Sequence, residues 1–222
     1  MRNAGEGEKR AGAPFVGRVW LQPRMLEIPI KPNSKHLVRI SDEAIAFENW
    51  CVHPSQVTAI AFMFSKVDSY LSSHGGYIHL HTPRVRHQIA ARCFGAMGFF
   101  EGEHNMREVV SAILKLVGER LLSEILAKIF EQNIPIQIGS LRFTAAGIAR
   151  TGLLSSGAVP WKYRPYHTLG SKGGFYGQTF GATKVCYDDP STGKQQHIGT
   201  VTSEDLNGFL VPHILDAVRS SP

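Results

Sequence analysis

Between Glu131 and Asp188 the chain carries no acidic residue, yet Arg142, Arg150, Lys162, Arg164, Lys172 and Lys184 all fall within that interval. Each of these side chains brings a full positive charge and several hydrogen-bond donors, and nothing nearby in the sequence neutralises them. Such groups attract phosphate oxygens. Near an anionic bilayer each contributes about 1 kcal/mol, and salt weakens the attraction. The six are therefore candidate ligand-binding residues for an anionic lipid surface or another phosphate-bearing ligand. The bland alternative is a solvated basic face. The net charge of the whole chain is only +6, so the distribution carries the argument rather than the total.

A glycine-rich run lies inside the same interval. Gly170, Gly173, Gly174, Gly177 and Gly181 alternate with Phe175, Tyr176 and Phe180. Those three aromatics are candidate interface residues that dip into a membrane surface while Lys172 and Lys184 meet its headgroups. The alternative is a hairpin connection whose aromatics fold back on the core. The run is not a nucleotide loop, because neither G-x-x-x-x-G-K-[ST] nor G-x-G-x-x-G occurs.

Most of the ten histidines lie in the first half. His79 and His81 are two apart on an alternating segment and so share one face of a strand, which suits a metal only if His87 or an acidic residue faces them. Without that third group they are surface or hydrogen-bonded histidines. No G-x-S-x-G is present, and the three cysteines, Cys51, Cys93 and Cys186, have no C-x-x-C spacing. These absences argue against a serine hydrolase, a disulfide framework and a zinc knuckle. The expectation is a binding protein without catalytic residues, metal or cofactor. Two alternatives stand beside it: a metal-assisted enzyme built on the first-half histidines, and a single-stranded nucleic-acid binder stacking bases on Trp161, Tyr163, Tyr166, Phe175 and Tyr176.

These residues need elements to hold them. Val38–Ile40, Ala44–Phe47, Val57–Phe64, Tyr77–His81 and Arg86–Cys93 read as strands, with Gly75-Gly76 as a turn. From Asn105 to Gln132, apolar residues recur every three or four positions, which predicts a helix with one greasy stripe. Gly118 interrupts it and predicts a kink or a close contact. The strand pattern resumes at Ile134-Pro135-Ile136 and continues through Leu141–Phe143, Gly147–Arg150 and Val159–Tyr163. Lys184–Tyr187 and Gln196–Val201 form a hairpin around the turn-forming Asp188–Gly193. A last helix starts near Thr202 or Ser203, with Pro212 marking either a kink or a later start.

The two halves echo one another. Arg39 matches Arg142 and Ile45 matches Ile148, both 103 residues apart, while Asn105 and Asn207 open similar amphipathic stretches. A period this long predicts tandem domains rather than a solenoid. The divisions expected are a disordered leader over 1–25, a first domain over 26–132 and a second over 133–222.

Short strands ending in one amphipathic helix, twice over, together with Ala146-Gly147-Ile148 and Val159-Pro160-Trp161-Lys162-Tyr163, resemble the bacterial pleckstrin-homology-like (PH-like) proteins. The resemblance implies an α+β fold of two tandem PH-like, partly open β-barrels, each capped by a C-terminal helix. It also implies non-catalytic docking of lipid headgroups or proteins. A protein partner or a second copy would meet the 105–132 helix. The expected location is cytoplasmic, with docking to the inner face of the membrane.

Overall fold

A computed structural model describes residues 25–30, 35–65, 73–94, 96–152, 157–173 and 179–220. The first half opens with β1 (Leu26–Pro29), β2 (Leu37–Ile40), β3 (Ile45–Phe47) and β4 (Trp50–Val52), an antiparallel sheet in chain order. A 3₁₀ turn, Pro54–Gln56, leads to a second sheet of β5 (Ala59–Ser65), β6 (Ser73–His81) and β7 (Arg86–Phe94). Helix α1 (Ala96–Leu126) follows and runs into a π turn, Ala127–Glu131.

The second half repeats the order. It has β8 (Ile136–Ile138), β9 (Leu141–Thr144), β10 (Gly147–Arg150) and β11 (Val159–Pro160), then a 3₁₀ turn, Trp161–Tyr163. Next come β12 (Tyr166–Gly173), β13 (Thr179–Asp188) and β14 (Gln195–Thr202), a 3₁₀ turn, Gly208–Leu210, and helix α2 (Val211–Ser220). The fold is α+β, with four small antiparallel sheets and two helices, and no sheet closes into a barrel among the described residues.

The 103-residue echo has a structural counterpart in one hairpin. In the first half Arg39 pairs with Ala46 and Ile40 with Ile45; in the second Arg142 pairs with Ala149 and Phe143 with Ile148. Alternation buries Val38, Ile40, Ile45 and Phe47 on one side and Leu141, Phe143 and Ile148 on the other, leaving both arginines exposed. The turns also match. The Ser41 hydroxyl accepts the Ala44 N–H at 3.1 Å, and the Thr144 hydroxyl accepts the Gly147 N–H at 3.2 Å. A hydroxyl that mimics a backbone acceptor stabilises a tight turn, which explains why Ser and Thr stand at this point in each half.

Buried residues from both halves belong to one contiguous cluster. Helix α1 supplies Val110, Ile113, Val117, Leu121 and Ile125 and its π turn Ile129, all residues of the stripe expected from the sequence, and α1 adds Val109. Fully burying one such side chain contributes about 1.5–3 kcal/mol, so this stripe is a major part of the core. The helix packs on β1, β2, β5, β6 and β7, while its π turn packs on β9. Arg120 donates to the carbonyls of Pro54 at 3.1 Å and Val57 at 2.5 Å, tying α1 to the first 3₁₀ turn. The far end of the long helix thus packs on the second half of the same chain.

A further seam joins the halves at β5, the outer strand of its sheet. The Phe62 N–H donates to the Ser203 carbonyl at 2.8 Å, the Asn207 N–H donates to the Ile60 carbonyl at 2.7 Å, and the Ile60 N–H donates to Asn207 Oδ1 at 3.0 Å. An outer strand left open would offer these groups to another chain. Here the 203–207 turn satisfies them.

Several expectations need correction. Gly75 and Gly76 are not a turn but lie within β6, opposite Ser65 and Phe64. A Cβ on Gly76 would come within 3.1 Å of the Met63 carbonyl and the Phe64 ring, so glycine marks a close approach in mid-strand. Helix α1 begins at Ala96, not Asn105, whose side-chain amide instead donates to the Pro29 carbonyl at 2.7 Å from mid-helix. Ile134 and Pro135 precede β8, and the strand at Val159 ends at Pro160 before turning 3₁₀. The last helix starts at Val211, so Pro212 sits in the first turn, where its missing N–H costs nothing. The strands 26–29 and 50–52 had no clear sequence signal. The leader through residue 24 lies outside the described residues.

Helix α1 is continuous through Gly118, and nothing lies within 4 Å of a Cβ placed there. The expected close contact is absent. Gly118→Ala should therefore stabilise the protein by about 1 kcal/mol, since Ala has the higher helix propensity and no clash opposes it. Urea unfolding should show a higher midpoint with an unchanged slope; a lower midpoint would mean that a kink at Gly118 is required.

Candidate anion-binding site

The run Val159-Pro160-Trp161-Lys162-Tyr163 builds its own platform. Pro160 holds an extended backbone ahead of the 3₁₀ turn, and Arg164 closes it in the left-handed region at φ 50°, its N–H donating to the Trp161 carbonyl at 2.8 Å. The Trp161 indole N–H donates to the Thr144 carbonyl at 2.9 Å. That bond fixes the ring, which stands 6.5 Å from buried Phe143 and 5.8 Å from Phe130 of the π turn. Lys162 Nζ lies 5.4 Å from the Tyr163 ring centre, and Tyr163 stacks on Tyr187 at 6.0 Å.

Around this platform opens a cleft of about 540 Å³. Its apolar surface comes from Leu126 and Phe130 at the end of the long helix, Trp161 of the 3₁₀ turn and Val218 of α2. Its cations are Lys162, Arg164 and Arg219, and among the described residues no carboxylate lines it. The last turns of both helices border the cleft, and each helix end carries about half a negative charge. Three full positive charges exceed that, so the cleft favours an anion. Its size falls within the range of small-molecule sites.

Of the six predicted ligand-binding residues, Lys162 and Arg164 reach this cleft. Arg142 stands exposed on β9 and Arg150 at the end of β10, while Lys184 stands exposed on β13 between Thr168 and Thr200. None of these three lines the cleft. Lys172 belongs to β12, opposite Phe180 of β13. The side chains of Lys172 and Phe180, and the whole of Phe175 and Tyr176, lie outside the described residues. Tyr166 uses its hydroxyl within the fold, donating to Asp188 at 3.0 Å and accepting from Gln195 at 2.6 Å.

In the first half, His79 and His81 do share a face of β6, with Ile78 and Leu80 buried on the other. His87 pairs with Leu80 and so lies on the opposite face, 4.7 Å ring to ring from Trp50. What flanks His79 and His81 on β7 is Gln88 and Arg86. Burial and then the Arg86 charge hold both imidazoles below the usual histidine range, with Tyr77 stacked on His79 at 4.4 Å. Among the described residues no three His, Cys, Asp or Glu side chains gather as a metal site.

Sequence reasoning missed Arg219, Phe130 and Val218 as neighbours of Trp161. One signal was available: Arg219 sits in the last turn of an amphipathic helix, where a cation complements the helix end. The pairing of two helix ends across a 3₁₀ turn was not readable from spacing. Comparison with known proteins returned no matching family model, no matching curated protein and no matching solved structure.

Proposed function

We propose that this protein is a non-catalytic docking module of two tandem PH-like units, 26–132 and 133–222, that binds a phosphate-bearing ligand through the cations of the second unit. The carrying observation is the cleft in which Lys162, Arg164 and Arg219 meet with no carboxylate among its described lining residues. The PH-like reading draws support from the repeated order of a four-stranded sheet, a 3₁₀ turn, a three-stranded sheet and a helix. It is also supported by the equivalent hairpins at Ser41 and Thr144. Among the described residues the cleft lining has cations and hydrocarbon but no histidine, thiol or carboxylate, a composition suited to holding an anion rather than moving a proton. In a cell this module would sit in the cytoplasm and dock to phosphate headgroups on the inner face of the membrane.

Co-flotation with vesicles tests the reading. At low salt the protein should float with phosphatidylcholine vesicles containing phosphatidic acid and not with phosphatidylcholine alone. The K162E/R164E double variant should lose this binding, and added salt should weaken it in the wild type. Failure of the wild type to prefer the acidic vesicles at low salt would reject the proposal.

A further inference from the structure

Three cations explain why an anion would enter the cleft, but not why the floor beneath them is aromatic and aliphatic. Phe130 is 42% exposed although its ring packs against Trp161, and Leu126 and Val218 extend the same apolar surface. A bare phosphate would leave that surface wet. A ligand with an alkyl chain next to its phosphate would cover it while keeping its oxygens on Lys162, Arg164 and Arg219. Resting on the docking reading above, we infer that the cleft takes a phosphate-headed lipid, with the chain lying along Phe130 and Trp161 and the headgroup among the three cations.

Two structural features favour this occupant. The charge complementarity is one-sided, because among the described residues no acidic side chain lines the cleft. The apolar side is also held in place. The indole N–H of Trp161 is tied to the Thr144 carbonyl, which leaves the ring face for packing, and Phe130 belongs to a π turn. A π turn inserts an extra residue into a helical turn and re-aims the side chains after it, and such turns concentrate at functional sites. Here the re-aimed turn buries Ile129 in the core and leaves its neighbour Phe130 facing Trp161.

Titration calorimetry with decyl phosphate, inorganic phosphate and decanol separates the possibilities. Decyl phosphate should bind about 100-fold more tightly than inorganic phosphate, the gain expected when a few methylenes leave water. Decanol should not bind measurably. Phe130→Ser should remove about tenfold of the decyl phosphate affinity and leave inorganic phosphate unchanged, while Arg219→Gln should weaken both anions. Because Phe130 and Arg219 are both exposed, neither variant threatens the core. Equal affinity for inorganic and decyl phosphate would overturn the lipid inference and leave the docking reading standing. Decanol binding as tightly as decyl phosphate would overturn it as well, by removing the role of the anion. Binding of neither anion would reject both.

Discussion

Phe143→Ala should cost about 3–5 kcal/mol of stability, the loss typical when a fully buried phenyl ring is removed and its cavity cannot collapse. Phe143 has no exposed surface, pairs with Ile136 and Ile148 on neighbouring strands, and lies under Trp161. Domains of this size are stable by about 5–15 kcal/mol, so one substitution would remove a large fraction of the total. The variant should also bind phosphate-bearing probes more weakly, because Trp161 loses the ring it packs against. Urea unfolding followed by circular dichroism measures the first effect. A loss under about 1 kcal/mol would show that the β8–β11 sheet does not depend on this ring.

The second large effect is expected at Asn207. Its backbone sits in the left-handed region at φ 60°, and its side-chain oxygen accepts the N–H of Ile60 on β5. Asn207→Ala would replace a residue that visits this region readily with one that pays about 1–2 kcal/mol to adopt it, and would leave the Ile60 N–H without its Asn207 acceptor at about 1–3 kcal/mol. A total loss of about 2–5 kcal/mol follows. Asn207→Gly separates the two contributions, since glycine accepts the backbone angle and loses only the acceptor. Glycine should therefore recover part of the alanine loss, and amide exchange at Ile60 should quicken in both variants. If the two variants are equally stable and the Ile60 amide stays protected, the seam between the halves does not run through Asn207.

Local regularities were the readable part of this chain. The hairpin pair at a constant 103-residue separation could be seen because strand alternation and turn hydroxyls are short-range and recur at matching positions, Ser41 with Thr144 and Ile45 with Ile148. The greasy stripe of α1 was readable for the same reason. Its start was not, because Asn105 looks like a cap in sequence while its amide in fact reaches Pro29, a partner that only the fold supplies. Gly75-Gly76 misled in a similar way, since the demand for glycine comes from the neighbouring Phe64 and not from a turn. The basic interval pointed at Lys162 and Arg164, yet charge counting could not separate them from Arg142 and Lys184, which stand on two different sheets. Arg219 lay outside the interval altogether and joined the cleft through the packing of α2.

The bonds that finish the margin of β5 come from residues near the end of the chain, with Ile60 and Asn207 separated by 147 positions. During synthesis at about 5–20 residues per second, that strand waits on the order of ten seconds for its cover. For that interval the newborn polypeptide offers a bare row of amides and carbonyls to any passing neighbour. The hazard of misassociation for this protein is therefore set less by the finished molecule than by the time its ribosome takes to reach Asn207.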